Sequence, residues 1–102
     1  WDVQDLDDPL MVGSYLGPNN ATDHNFYING SILHQSNYAF GIRFVDLTDP
    51  VNPVERGFFD TSPQDANNPG FGGSWSNYPY FASGVVAVTS GAEGLFVVRL
   101  TN

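Results

Sequence analysis

The feature that most limits how this chain can fold is a spacing. Trp1-Asp2-Val3 can be laid over Val45-Asp46-Leu47, 44 residues on. The same shift brings Asp5 onto Asp49, Pro9 onto Pro53, Gly13 onto Gly57 and Tyr15 onto Phe59. A second overlay, at 53 residues, sets Gly41-Ile42-Arg43-Phe44-Val45-Asp46-Leu47 over Gly94-Leu95-Phe96-Val97-Val98-Arg99-Leu100, and Ile32-Leu33 over Val85-Val86. The extra residues of the longer spacing fit within 62–73, a stretch rich in Pro, Asn and Gly. A period of about 40–45 residues with four short strands per unit is the pattern of a β-propeller blade.

The local pattern agrees. No window sustains a 3.6-residue apolar period, while short β-branched and aromatic runs recur between turn signals. Strands are expected at 10–15, 25–29, 31–36, 41–47, 53–59, 77–81, 85–90 and 95–100. Asn29-Gly30 predicts a tight hairpin with both residues at positive φ. Pro9, Pro50, Pro53, Pro63, Pro69 and Pro79 fall in loops or at run edges, where a missing N–H breaks no ladder. The chain is therefore expected to be all-β, about two four-stranded blades of a propeller. Residues 1–16 give the end of one blade, 23–61 a full blade, 62–73 a loop, and 74–101 a last blade without its outer strand. Two blades cannot close a ring of four to eight. The expectation is a fragment of a larger ring, completed by remaining blades or by self-association.

Composition removes several classes of function. Eleven acidic residues against three arginines and no lysine give a net charge of -8. Such a surface repels phosphate backbones, so nucleic acid is not an expected partner, and it disfavours anionic membranes. No apolar run approaches the ~20 residues of a spanning helix, so no membrane insertion is expected. The absence of cysteine excludes a disulfide framework, a thiol nucleophile and Cys-type zinc sites. The opening Trp1-Asp2-Val3-Gln4 has neither a basic n-region nor an apolar h-region, so it does not read as an export signal. Asn20-Ala21-Thr22 and Asn29-Gly30-Ser31 fit the N-glycosylation pattern, one short enough to arise by chance in an Asn-rich chain.

Phe44-Val45-Asp46-Leu47-Thr48-Asp49-Pro50-Val51-Asn52-Pro53-Val54 resembles the LVIVD repeat: a hydrophobic strand followed by Asp-x-Ser/Thr-Asp-Pro-x-x-Pro. With Asp23-His24-Asn25, Gly41-Ile42-Arg43, Phe59-Asp60-Thr61, Gly73-Ser74-Trp75-Ser76-Asn77-Tyr78-Pro79 and Gly94-Leu95-Phe96-Val97, the chain from Trp1 to Leu100 resembles the carboxyl-terminal part of the choice-of-anchor B family of bacterial surface proteins. The resemblance implies a β-propeller exported and held at the cell surface by a carboxyl-terminal anchor, and it implies no catalytic activity. No anchor is read within these residues. Leu6-Asp7-Asp8-Pro9 departs from the Asp-Pro-x-x-Pro spacing, which blurs the first turn.

Candidate sites are few. Asp46 and Asp49, like Asp2 and Asp5, are placed to bond downstream amides and preset a turn. Asp5, Asp7 and Asp8 are also close enough in sequence to suggest calcium, although the spacing is not that of an EF-hand and no bidentate Glu follows. Otherwise no cofactor is expected. Asp23, His24 and Asn25 open an inner strand beside the expected central channel. There they would either form a ligand or ion site, together with Trp75, or hydrogen-bond a neighbouring blade. His34 reads as a strand residue. Phe71, Trp75, Tyr78, Tyr80 and Phe81 would either stack on a sugar or peptide or pack between blades. Loop 62–73 is the natural variable surface. Gly-x-Ser-x-Gly, P-loop and His-Glu-x-x-His patterns are absent. The expected function is a non-catalytic, surface-exposed or secreted interaction module with a protein or carbohydrate ligand. The alternative is a fragment of a propeller hydrolase or lyase acting at the channel.

Overall fold

Short β-rich runs broken by Gly, Pro and Asn produce seven strands in the computed structural model, which describes residues 1–101. They are β1 (Asn25–Asn29), β2 (Ile32–Ser36), β3 (Ile42–Asp46), β4 (Val54–Phe59), β5 (Ser74–Tyr78), β6 (Val86–Ser90) and β7 (Gly94–Val98). Every pairing is antiparallel and between sequence neighbours. Strands β1-β2-β3-β4 form one sheet and β5-β6-β7 a second. Among the described residues there is no helix. The fold is all-β, and the two sheets do not close a ring.

Directly opposed residues of an antiparallel pair share a face. In the first sheet, Ser36 opposes Ile42 and His34 opposes Phe44. In the second, Val88 opposes Phe96 and Val86 opposes Val98. These two faces meet. Ile42, Phe44, Val86 and Val88 are the buried centre, with Ile32, Phe96, Val98 and Leu100 packed around them. Ile42 and Val88 are wholly buried, and each such side chain contributes about 2 kcal/mol by leaving water. Asn77 spans the interface, its Nδ2 donating to the His34 carbonyl (3.1 Å) and to Ser36 Oγ (2.9 Å). Strand β4 reaches over the second sheet, where Phe59 meets Phe96 at 5.3 Å and Gly57 lies against Leu100.

The other face of the first sheet is covered by the chain before β1. Val45 is wholly buried and Arg43 nearly so. Tyr15 sits within the fields of Glu55 and Arg43, and burial, then Glu55, raise its phenol above the usual value. A Cβ on Gly17 would touch the Phe40 ring.

The pairings recur at the spacings read from the sequence. Leu33 opposes Val45 as Val86 opposes Val98, and Gln35 opposes Arg43 as Val88 opposes Phe96, each 53 residues on. Asp2 bridges Leu10 as Asp46 pairs with Val54, 44 residues on. The acidic turns share their carboxylate-to-amide bonds. Asp2 Oδ1 accepts from the Gln4 amide and Asp5 Oδ1 from the Asp7 amide, both at 3.0 Å. Asp46 Oδ1 accepts from Thr48 (2.8 Å) and Asp49 Oδ1 from Val51 (3.1 Å). Hydrogen bonds hold both carboxyls below the usual carboxylate value: the Thr48 side chain and then its amide for Asp46, the Asn52 side chain and then the Val51 amide for Asp49.

Three expectations need correction. No strand forms at 10–15: only Leu10 is bridged, to Asp2. Among the described residues, 11–15 join no ladder. The strand expected at 77–81 runs instead over Ser74–Tyr78, because Pro79 cannot donate to a ladder and Gly73 and Ser74 join the sheets. The first hairpin turns on Gly30-Ser31, since Asn29 pairs with Ile32. Gly30 alone has positive φ there (62°), which suits a turn with glycine at its first central position.

Candidate functional site

The polar residues that open β1 and the aromatic residues around β5 come together at one end of the two sheets. Trp75 is the extra residue of a β-bulge, since Ser74 pairs with Ser90 and Ser76 with Thr89. A bulge re-aims its side chain, and the Trp75 indole is 57% exposed. Its backbone is fixed from the other sheet: His24 Nδ1 lies 2.7 Å from the Trp75 carbonyl. A carbonyl only accepts, so Nδ1 carries the proton and donates it. The His24 amide extends the β1–β2 ladder by donating to the Ser36 carbonyl. The imidazole packs on the Tyr38 ring at 4.8 Å and edge-on to the indole at 6.2 Å. Next to it, Asn25 Nδ2 donates to Ser76 Oγ at 3.0 Å.

Tyr38 is the hub. It is buried, has φ 44°, and exchanges two backbone hydrogen bonds with Ser74 (2.8 and 2.9 Å). Its ring meets Phe71 edge-on at 5.6 Å, and Phe71 is itself 82% exposed. The strip Trp75–His24–Tyr38–Phe71 thus has exposed aromatic faces at both ends and a bonded middle in which Tyr38 is buried and His24 exposed. A second group, Tyr27–Tyr80–Tyr78–Phe81, follows along β1 and β5, and Tyr80 Oη donates to the Ile28 carbonyl.

Loop 62–73 carries Phe71 and is anchored at three places. The Ser62 amide donates to Asp60 Oδ1, Gln64 Nε2 donates to Glu93 Oε1 at 2.7 Å, and the Gly70 amide donates to Thr22 Oγ1. Ser90 Oγ donates to Glu93 at 2.6 Å and holds that carboxyl below its usual value. Between the loop and Ala39 lies an open cleft of about 220 Å³, lined in part by Asp65, Asn68 and Gly70. A wider cleft of about 580 Å³ lies between the two acidic turns, lined by Trp1, Val3, Val12, Pro50 and Val51 among others. Its one carboxylate, Asp2, is engaged by the Gln4 amide.

Of the site residues expected from sequence, His24, Asn25 and Trp75 are joined across the sheets, while Asp23 stays exposed at the rim. Asn29, named for its glycosylation pattern, uses Nδ2 to bond the Pro79 carbonyl. Tyr38 as a site residue was missed. No sequence signal marks a buried tyrosine as the link between elements so far apart in the chain. Among the described residues no three His, Asp or Glu side chains converge as metal ligands, and Asp5 Oδ1 is taken by the Asp7 amide. Among the described residues no helix is long and apolar enough to cross a membrane.

No family model matches the chain, and neither a curated protein nor a solved structure does. The class established is therefore the all-β pair of antiparallel sheets, and nothing narrower.

Proposed function

We propose that the chain is about two blades of an LVIVD-type β-propeller, acting as a non-catalytic, surface-exposed or secreted interaction module that binds carbohydrate at the Trp75–Phe71 strip. The blade reading is supported by the pairings that recur at 44 and 53 residues and by the face-to-face stacking of consecutive sheets. The surface location rests on the family resemblance alone.

One observation carries the binding reading. The exposed Trp75 indole stands on a bulge whose carbonyl is locked by His24, and at the other end of the strip Phe71 lies between Gly70 and Gly72, which line a cleft bearing Asp65 and Asn68. A rigid aromatic face binds the C–H face of a sugar, and a nearby carboxylate and amide take its hydroxyls. The cleft is smaller than the 300–1,000 Å³ of sites that enclose a whole ligand, which fits the edge of one ring of a longer glycan. The alternative, a hydrolase or lyase centred on Asp23 and His24, would want the imidazole oriented by a carboxylate. Here Nδ1 faces the Trp75 carbonyl.

Tryptophan fluorescence titration and a glycan array test the proposal. A binding glycan is expected to lose at least tenfold affinity with Trp75→Ala, since aromatic contacts carry a large share of such binding. Absence of glycan binding, or full affinity in Trp75→Ala, would overturn it, and binding of peptides alone would move the ligand class.

A further inference from the structure

The interior between the two sheets is apolar at its centre and polar toward the Tyr38–Ser74 junction. Ile42, Phe44, Val86 and Val88 form the apolar centre. Ser36, Thr61, Ser74, Asn77 and Ser90 are as deeply buried, none more than 6% exposed. The strand register brings these five together. Ser74 pairs with Ser90 and Asn77 with Val88, and Ser90 and Val88 stand two apart on one face of β6. Ser74 and Asn77 are therefore neighbours on one face of β5, because the bulge at Trp75 lets three residues span what two would elsewhere. From the first sheet, Ser36 Oγ lies 2.9 Å from Asn77 Nδ2, and Thr61, just past β4, lies 2.9 Å from Ser90 Oγ. Both walls of the cluster thus belong to this chain.

Two atoms here lack what burial demands. Asn77 Nδ2 faces the His34 carbonyl as well as Ser36. A carbonyl takes only a donor, so the amide cannot be turned over, and Asn77 Oδ1 must find its donor elsewhere. Neither Asn77 Oδ1 nor Ser74 Oγ has a hydrogen-bond partner among the described residues, although both atoms are cut off from solvent. Buried polar atoms are paired almost without exception, with protein or with ordered water.

We infer that an internal water molecule binds between Ser74 Oγ and Asn77 Oδ1 and ties together the two ends of the Trp75 bulge. The water donates one proton to Asn77 Oδ1 and accepts the proton of the Ser74 hydroxyl. Its second proton serves a neighbouring hydroxyl oxygen, which completes the set of about three bonds that internal waters make. Serine and threonine fill less of the space between the sheets than Ile42, Phe44 and Val88 do further in, so a guest of this size has room. The lining is neutral, and the carboxylate bonded into the cluster, Glu93, is engaged by Ser90 and Gln64. That suits water rather than a cation, which would want charge and more oxygens. The water braces the bulge from inside while the indole stands outside. The inference concerns the interior and holds whether or not a glycan binds at Trp75.

A crystal structure and one substitution test it. Density for a water within about 2.6–3.2 Å of both Ser74 Oγ and Asn77 Oδ1 is expected. A direct hydrogen bond between the two side chains, or no density between them, overturns the inference. Ser74→Ala decides by the sign of its effect in urea unfolding at fixed protein concentration. If Oγ holds a water, the variant loses that bond, and the ratio of folded to unfolded chain falls about three- to tenfold. If Oγ holds nothing, the variant removes a buried hydroxyl without a partner, and the ratio stays the same or rises; that result overturns the inference. Should Ser74→Ala fail to fold, the density in the unaltered chain decides alone.

Discussion

Replacing Gly73 by alanine should part the two sheets at their backbone junction. Gly73 has φ 98° and precedes the Tyr38–Ser74 bridge. An added Cβ would run into the Tyr38 carbonyl and come within 2.8 Å of the Ala39 amide nitrogen. Both are backbone atoms and cannot swing aside as a side-chain tip can. The left-handed conformation costs an alanine about 1–2 kcal/mol. Relieving the clash loosens the Tyr38–Ser74 bonds, in a place where Ser74 is wholly buried. Each buried group left unpaired adds about 1–3 kcal/mol. With one group left unpaired, the expected loss is therefore about 2–5 kcal/mol. Gly84→Ala is the control: φ is 77°, but nothing lies within 4 Å of the new Cβ. It should cost only the conformational share, about 1–2 kcal/mol. Urea unfolding followed by far-ultraviolet circular dichroism measures both, at one fixed protein concentration so that association does not enter the comparison. If the two variants lie within about 0.5 kcal/mol of each other, close approach at Gly73 contributes nothing and the reasoning fails.

Three further outcomes are expected. Ile42→Ala, at a wholly buried position between the sheets, should cost about 2–5 kcal/mol by calorimetry; a loss under about 1 kcal/mol would show that the sheets do not meet there. Arg43→Lys should cost about 2 kcal/mol, because the guanidinium lies between the Phe40 and Phe58 rings, donates Nε–H to the Phe40 carbonyl and reaches Glu55, and an ammonium cannot do all of this at once; equal stability of the two proteins would refute it. Burial between the sheets holds His34 below its usual value, so below about pH 6.5 the unfolded chain binds a proton that the native one refuses. Stability is then full above that pH and falls as pH drops toward the native value, and His34→Gln should flatten this slope between urea midpoints taken at pH 7.5 and 5.5.

The strands were legible because most are short β-branched or aromatic runs between turn formers, and seven of the eight expected runs overlap a strand, the run at 77–81 only at its first two residues. The acidic turns were legible too, since an Asp bonding an amide two residues on is a local event. What failed was non-local. Residues 10–15 have the composition of a strand, but composition does not supply a neighbour, and only Leu10 is bridged. The frame of β5 depends on the bulge at Trp75 and the junction with Tyr38, both set by the other sheet. For the site, sequence pointed to His24, Asn25 and Trp75 as chemistry-bearing residues. It did not show that His24 bonds a backbone carbonyl 51 positions away, because nothing in either local pattern refers to the other.

The matched acidic turns bear on how the chain finds its shape. In each, the carboxylates close onto amides two residues ahead, so the reversal can form without help from any distant part of the molecule. Every ladder also joins strands adjacent along the chain. Each sheet can therefore zip from its own corners, at little cost in loop closure. What remains for the end is the meeting of β1 and β2 with β5 across some fifty residues of backbone, which makes that encounter, rather than strand formation, the step expected to govern the rate of folding.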